Sequence, residues 1–124
     1  MKRTHHCAQL RPSDIGNEVV LAGWVNKRRD LGGLIFVDLR DREGMTQLVF
    51  NPEHNKKLYE TAYGLKREDV IMVSGKVRQR IEGQSNKDMP TGEVEVFAFE
   101  LEIVGRYEIL PLYYFVPSYV DTRL

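Results

Sequence analysis

Only one cysteine, Cys7, occurs in the chain. No internal disulfide can form, and a reducing compartment, the cytoplasm, is the natural setting. Long apolar runs are missing as well. Nothing approaches the roughly 18 residues that read as a membrane span. The basic opening Met1-Lys2-Arg3-Thr4-His5-His6-Cys7 passes directly to Gln9 and Arg11 without an apolar stretch, so no signal peptide is expected. Nor is there an excess of charge: 18 basic side chains face 18 acidic ones, which argues against a protein that grips long duplex DNA by counterion release. Repeats, low-complexity stretches and Pro-rich linkers are absent before residue 110. No Gly-rich phosphate loop, nucleophile elbow or paired carboxylates stand out, so catalysis within these residues is not expected. His5, His6 and Cys7 are adjacent, but a metal site needs convergent ligands, usually about four, and none is expected here.

What remains is an ordinary globular composition, 42% apolar and 29% charged, in 124 residues, enough for one domain with a real core. The charge is unevenly placed. Lys27-Arg28-Arg29, Arg40-Asp41-Arg42 and Lys76, Arg78, Arg80 are basic clusters, whereas Glu93, Glu95, Glu100 and Glu102 gather acid late in the chain. Such clustering forms either one basic surface or a set of ordinary solvated charges.

The apolar pattern is mainly period two, the signal of half-buried strands. Strands are predicted over 19–26, 34–40, 45–50, 70–80 and 93–104, with a turn at Asp30-Leu31-Gly32-Gly33 and a tight hairpin at Arg42-Glu43-Gly44. In the second strand Ile35, Val37 and Leu39 face a core, leaving Phe36, Asp38 and Arg40 on the other side. In the third, Thr46, Leu48 and Phe50 oppose Gln47 and Val49. In the fourth, Ile71, Val73, Gly75 and Val77 oppose Lys76, Arg78 and Arg80. The one helical pattern, 53–64, carries Leu58, Ala62 and Leu65 at spacings of three and four and ends at Gly64. Trp24, beside Gly23, reads as core or barrel-end packing. Three strands, a helix and two strands make an all-β protein with one helix. The order fits an OB-fold, a five-stranded Greek-key barrel with the helix between strands 3 and 4; an SH3-like barrel or a small α+β sheet gives a similar string.

OB-folds bind oligonucleotides over strands 2 and 3 and the adjoining loops. Phe36, an aromatic on a polar face, either stacks on a base or fills a small second core under a loop. Gln47 offers one acceptor and two donors, the set that reads the edge of a base such as uracil, or it is a plain solvent-facing glutamine. Arg29, Arg78 and Arg80 suit phosphates or base faces, or are surface charges. Glu95 would repel phosphate but accepts hydrogen bonds from a donor-bearing base edge, unless it is simply a surface strand glutamate.

The stretch from Gly23-Trp24-Val25-Asn26-Lys27-Arg28-Arg29-Asp30-Leu31-Gly32-Gly33 through Leu34-Ile35-Phe36-Val37-Asp38-Leu39-Arg40-Asp41-Arg42-Glu43-Gly44 resembles the signature of bacterial aspartyl-tRNA synthetases. Arg3-Thr4-His5 with Cys7 and Leu10-Arg11, the run Asp88-Met89-Pro90-Thr91-Gly92-Glu93-Val94-Glu95-Val96, and Ile109-Leu110-Pro111-Leu112 are similar to that family too, so the likeness covers residues 1–112. The resemblance implies a domain that clasps the anticodon stem-loop of aspartate tRNA. By it, Phe36 stacks on the central uridine and Gln47 reads the same base. Arg29, Arg78 and Arg80 approach the stem-loop, and Glu95 helps in reading. Lys27, a weaker contact, stands where the family commonly has arginine and an ammonium cannot make the bidentate contact of a guanidinium, and Asn86 is the candidate contact in a variable loop. The resemblance further implies an OB domain over 1–108 and, over 109–124, the start of a hinge toward a catalytic domain that lies outside these residues. That domain would bring ATP, magnesium and aspartate sites, and the parent ligase would be a homodimer. No cofactor is expected for these residues themselves. The aromatic segment Tyr113-Tyr114-Phe115-Val116-Pro117 suggests an interface. Two other readings fit the bare pattern: a stand-alone OB protein binding single-stranded nucleic acid without sequence choice, and an adaptor docking a protein through the aromatic segment.

Overall fold

A computed structural model describes residues 1–81 and 85–105. The expected hinge and aromatic segment, and Gly83-Gln84 of the variable loop, lie outside the described residues. The elements run β1 (Glu18–Leu31), β2 (Leu34–Arg40), β3 (Met45–Phe50), α1 (Lys56–Tyr63), β4 (Val70–Gln79) and β5 (Val94–Gly105), preceded by a short 3-10 turn at Pro12–Asp14. The strands close into a barrel in the order β1-β2-β3-β5-β4. All neighbours are antiparallel except β3 and β5, where Leu48 pairs with Val96 and Val49 with Phe97 in parallel. A five-stranded closed sheet with its helix between β3 and β4 is the expected OB architecture.

β1 is longer than its sequence pattern suggests. It runs through Lys27-Arg28-Arg29 to Leu31 because a bulge between Val25 and Lys27 lets one strand serve two partners. Its first half, Glu18 to Trp24, pairs with β4, and its second half, from Trp24, pairs with β2. A charged triplet is compatible with a strand that projects beyond the barrel, and the bulge supplies the extra twist. Gly32 and Gly33, at φ of 58° and 80°, then turn the chain tightly into β2, a conformation costly for side chains with a Cβ.

The core holds the inward residues of every strand, including Leu21, Val25, Ile35, Val37, Leu39, Leu48, Phe50, Ile71, Val73, Val77, Val96 and Ala98. Leu58 and Ala62 of α1, and Leu65 beyond it, close one end. The helix begins later than the sequence pattern: Asn55 is its cap, its Oδ1 accepting from Leu58 N at 3.0 Å. Asn51 instead holds a turn through Glu53 N. The N-terminal segment plugs another part of the barrel with Cys7 and Leu10, both fully buried. Asp41 fastens it there. Its Oδ2 accepts from Cys7 N, while Oδ1 accepts from Glu43 N and Gly44 N, so one carboxylate ties the β2–β3 hairpin to the chain start. Trp24 is only half-buried and is not part of this core. It stands where β1 passes from one partner strand to the other.

Candidate nucleic-acid interface

Side chains on the outer face of all five strands form one connected set. The register places Arg29 opposite Phe36 and Asp38 opposite Gln47, so these four side chains share a face. Arg29 Nη2 donates to Asp38 Oδ1 at 2.9 Å and to Gln47 Oε1 at 2.9 Å. Gln47 Nε2 donates to Glu95 Oε1 at 2.9 Å, and Arg78 Nε donates to Glu95 Oε2 at 2.7 Å. The guanidinium carbon of Arg29 lies 5.8 Å from the centre of the Phe36 ring, and that of Arg78 lies 4.5 Å from the Phe97 ring. Arg29, Leu31, Phe36, Gln47, Ile81 and Glu95 line a single cleft over this network.

Burial within the set differs from the sequence expectation. Gln47 and Glu95, expected to point outward, are 4% and 2% exposed. β3 and β5 lie side by side here, and each of these side chains covers the other while charged neighbours close the rim. Gln47 is thus neither a free reader nor a solvated glutamine. Its Oε1 and one Nε2 hydrogen are engaged, and its orientation is fixed. Arg80, expected on the outward face with Lys76 and Arg78, is also buried, at 6% exposure. It follows the last residue of β4 and is covered there, its Nε donating to Val94 O at 3.1 Å and its Nη2 lying 3.8 Å from Met89 Sδ. Desolvation pushes its guanidinium below the usual arginine pKa; Glu95 and Asp38 pull the other way, and Arg29 adds repulsion. Arg80 is therefore a buried cation beneath the face.

Phe36 is half-buried, and one side of its ring is left to the cleft. Arg78 is 39% exposed at the side chain and Arg29 32%. Arg29 Nε is buried with no hydrogen-bond partner among the described residues. A buried, unpaired donor on a charged group is costly, and the side chain that carries this one lines the cleft.

Of the sequence candidates, Arg78 joins the network and Arg80 lies beneath it without lining the cleft, and two others stand apart from both. Lys27 is exposed and lines a separate groove with Asn26, Arg28, Leu65, Lys66 and Arg67. Asn86 is spent on a turn: its Oδ1 accepts from Asp88 N at 3.0 Å and its backbone pairs with Gly92. Sequence reasoning overlooked Asp38, the residue that holds Arg29, though its place on the face was evident from alternation. It also overlooked Leu31 and Ile81, exposed apolar side chains at the cleft rim, 55% and 63% accessible. Ile81 lies beyond β4, where no strand pattern marks it.

No helix among the described residues is long and apolar enough to cross a membrane. The family model for OB-fold nucleic acid binding domains matches residues 19–104. An aspartate–tRNA(Asp/Asn) ligase of Salinibacter ruber is 55% identical over 109 residues, which cover 88% of this chain and 17% of that protein. Another, from Geotalea uraniireducens, is 48% identical over 120 residues, covering 97% and 20%. The chain thus spans a fifth or less of the length of these curated relatives. Among solved structures, asparaginyl-tRNA synthetase of Pyrococcus horikoshii complexed with asparaginyl-adenylate is similar at a TM-score of 0.72 and 28% identity, over 90% of this chain and 24% of that one. The OBody AM3L15 bound to hen egg-white lysozyme reaches a TM-score of 0.74 at 31% identity, over 90% and 97%.

Proposed function

The chain belongs to the family of OB-fold nucleic acid binding domains, and from that premise we propose that it reads the anticodon of aspartate tRNA as one domain of an aspartate–tRNA ligase. The observation that carries this reading is the fixed network Arg29–Gln47–Glu95–Arg78 beside the open side of Phe36. A base entering the cleft stacks on Phe36, which holds it in place without regard to identity. Identity is read by the remaining polar capacity of Gln47 and by the exposed part of the Arg29 guanidinium, groups whose positions are set before the RNA arrives. Preorganised donors lose little on binding, and a base that does not match leaves buried polar groups unpaired. Arg78, held on Phe97 and tied to Glu95, presents its outer nitrogens to phosphate.

Glu95 fits this reading by its placement. It does not meet phosphate, because Gln47 and Arg78 occupy its two oxygens; it orients the residues that do the reading. Arg80 lies beneath and holds the start of β5 through Val94 O. Lys27 and Asn86 stand outside the cleft and take no part in reading the base.

The two bacterial relatives are ligases for both aspartate and asparagine tRNA. The anticodons of those two tRNAs differ at one position and share the central uridine, so a cleft that reads the uridine accepts both. The whole ligase would be a cytoplasmic homodimer that brings ATP and magnesium to a catalytic domain outside these residues.

The test is a titration of the 124-residue chain with the aspartate anticodon stem-loop, the asparagine stem-loop and an aspartate loop changed at the central uridine. Tight binding to the first two and weakened binding to the third is the expected result. Equal, salt-sensitive binding to all three would leave a single-strand binder without sequence choice and overturn the reading.

A further inference from the structure

A second aromatic group lies on the same outer face, further along β5, and none of its members belongs to the cleft. Phe97 and Phe99 have ring centres 6.1 Å apart, and His54, from the β3–α1 loop, lies 4.9 Å from the first ring and 5.4 Å from the second. Both phenylalanines are half-buried and His54 is exposed. The covered edge of Phe97 is explained by its register partner Val49, which is fully buried on the outward side of β3. The uncovered surface of three adjoining rings is not explained by packing.

The backbone is shaped to display them. The register between β4 and β5 shifts between Ser74 and Gly75: Ser74 faces Glu100 and Gly75 faces Ala98, so Phe99 is an extra residue in β5. Alternation from Phe97 already puts Phe99 outward, and the extra residue then returns Leu101 and Ile103 to the core side. Gly75 makes the close approach possible, since a Cβ there would collide with the Phe97 carbonyl oxygen. Cations flank the rings. Arg78 sits over Phe97, and Lys76, the register partner of Phe97 on β4, is exposed. Aromatic faces interleaved with basic side chains are how proteins hold single-stranded nucleic acid. Arg78 joins this group to the cleft, because the same guanidinium that lies on Phe97 donates to Glu95.

We propose that Phe97, Phe99 and His54 form a second base-stacking step that takes a nucleotide flanking the triplet read in the Phe36 cleft, with Lys76 and Arg78 on its phosphate. This rests on the reading of the cleft as an anticodon site and extends it. The cleft selects the sequence; the second step fixes which way the RNA strand runs across the barrel and adds affinity without selecting a base.

The experiment places 2-aminopurine, in turn, at each of the loop nucleotides on either side of the triplet in the aspartate stem-loop and titrates each with the full chain. Three proteins are compared: the unaltered chain, Phe97→Leu, which keeps an apolar cover over Val49, and His54→Ala. At one flanking position, binding to the unaltered chain quenches the fluorescence. In the variants the quench disappears, and affinity falls by about 5- to 150-fold, the equivalent of one stacked base, while the preference for the central uridine and the melting temperature are kept. Unchanged quenching and affinity in both variants would overturn the second step while leaving the cleft intact. Loss of uridine preference already in the unaltered chain would remove the reading on which the step is built. A melting temperature that falls in both variants, with flanking-base quenching retained, would make the rings a packing feature only.

Discussion

Gln47 and Glu95, 48 residues apart in sequence, are hydrogen-bonded to each other at 2.9 Å and are both almost fully buried. One is a donor held in place and the other an acceptor with both oxygens taken. Each makes the other's position definite, and the cleft above them inherits that definition.

Gln47→Ala deprives Arg29 and Glu95 of a partner. It should cost about 1–3 kcal/mol of stability and lower the preference for uridine more than it lowers total affinity. Thermal unfolding and paired titrations with matched and central-base-changed loops measure the two effects. Equal affinity losses on both loops would count against a reading role.

Phe36→Ala should leave the melting temperature nearly unchanged, because the ring is only half-buried. Binding to the anticodon loop should weaken by about 1–3 kcal/mol. A drop in stability on the scale of a core truncation would make Phe36 a packing residue instead.

Alternation makes much of the barrel readable. In β2 one face is solvated and the other is not, so Ile35, Val37 and Leu39 identify themselves as core. β3 is less legible, because five of its six residues are buried and its outward side is covered by β5. A period-two pattern tells which side a residue takes, not what lies over that side. Alternation therefore puts Phe36 on the outer face, where the structure has it, while the burial of Gln47 and Glu95 leaves no trace in the pattern. Their contact depends on the parallel pairing of β3 with β5, a long-range event with no local signature. Arg80 misleads for a different reason. It keeps the side that alternation gives it, near Glu95 and Asp38, but the pattern does not show that Val94 and Met89 lie against it there.

The two arginines at the end of β4 should separate in a salt titration. Arg78→Met removes an exposed cation, and the slope of log K against log salt should fall by about 0.7 for each single-strand phosphate that is no longer neutralised. Arg80→Met keeps the stem and removes a charge that is poorly solvated, so the slope should stay the same and stability should shift by less than about 1 kcal/mol. The pH behaviour follows from the lowered pKa of Arg80. A base whose pKa is depressed on folding destabilises the fold while it is charged, and relief comes only as the pH rises through the folded value. Arginine stays charged at neutral pH, so Arg80 should add no slope to stability across the neutral range. Chemical denaturation at several pH values, compared between the unaltered chain and Arg80→Met, tests this.

Gly75→Ala should destabilise by about 3 kcal/mol, since the new methyl group meets backbone rather than a movable side chain. The β4–β5 register shift should be disturbed with it, which amide hydrogen exchange along Ala98 to Leu101 would register.

The position of β5 has a consequence for how such a domain is made. β5 is the final strand to be synthesised, yet in the barrel it lies between β3 and β4 rather than at an edge. Until Val94–Gly105 has left the ribosome, β3 and β4 carry unpaired hydrogen-bonding edges, and the barrel cannot close however long the earlier strands have been available. A chain halted before residue 94 would present two adhesive strand edges, so translational pausing within this region would favour association between nascent chains over folding.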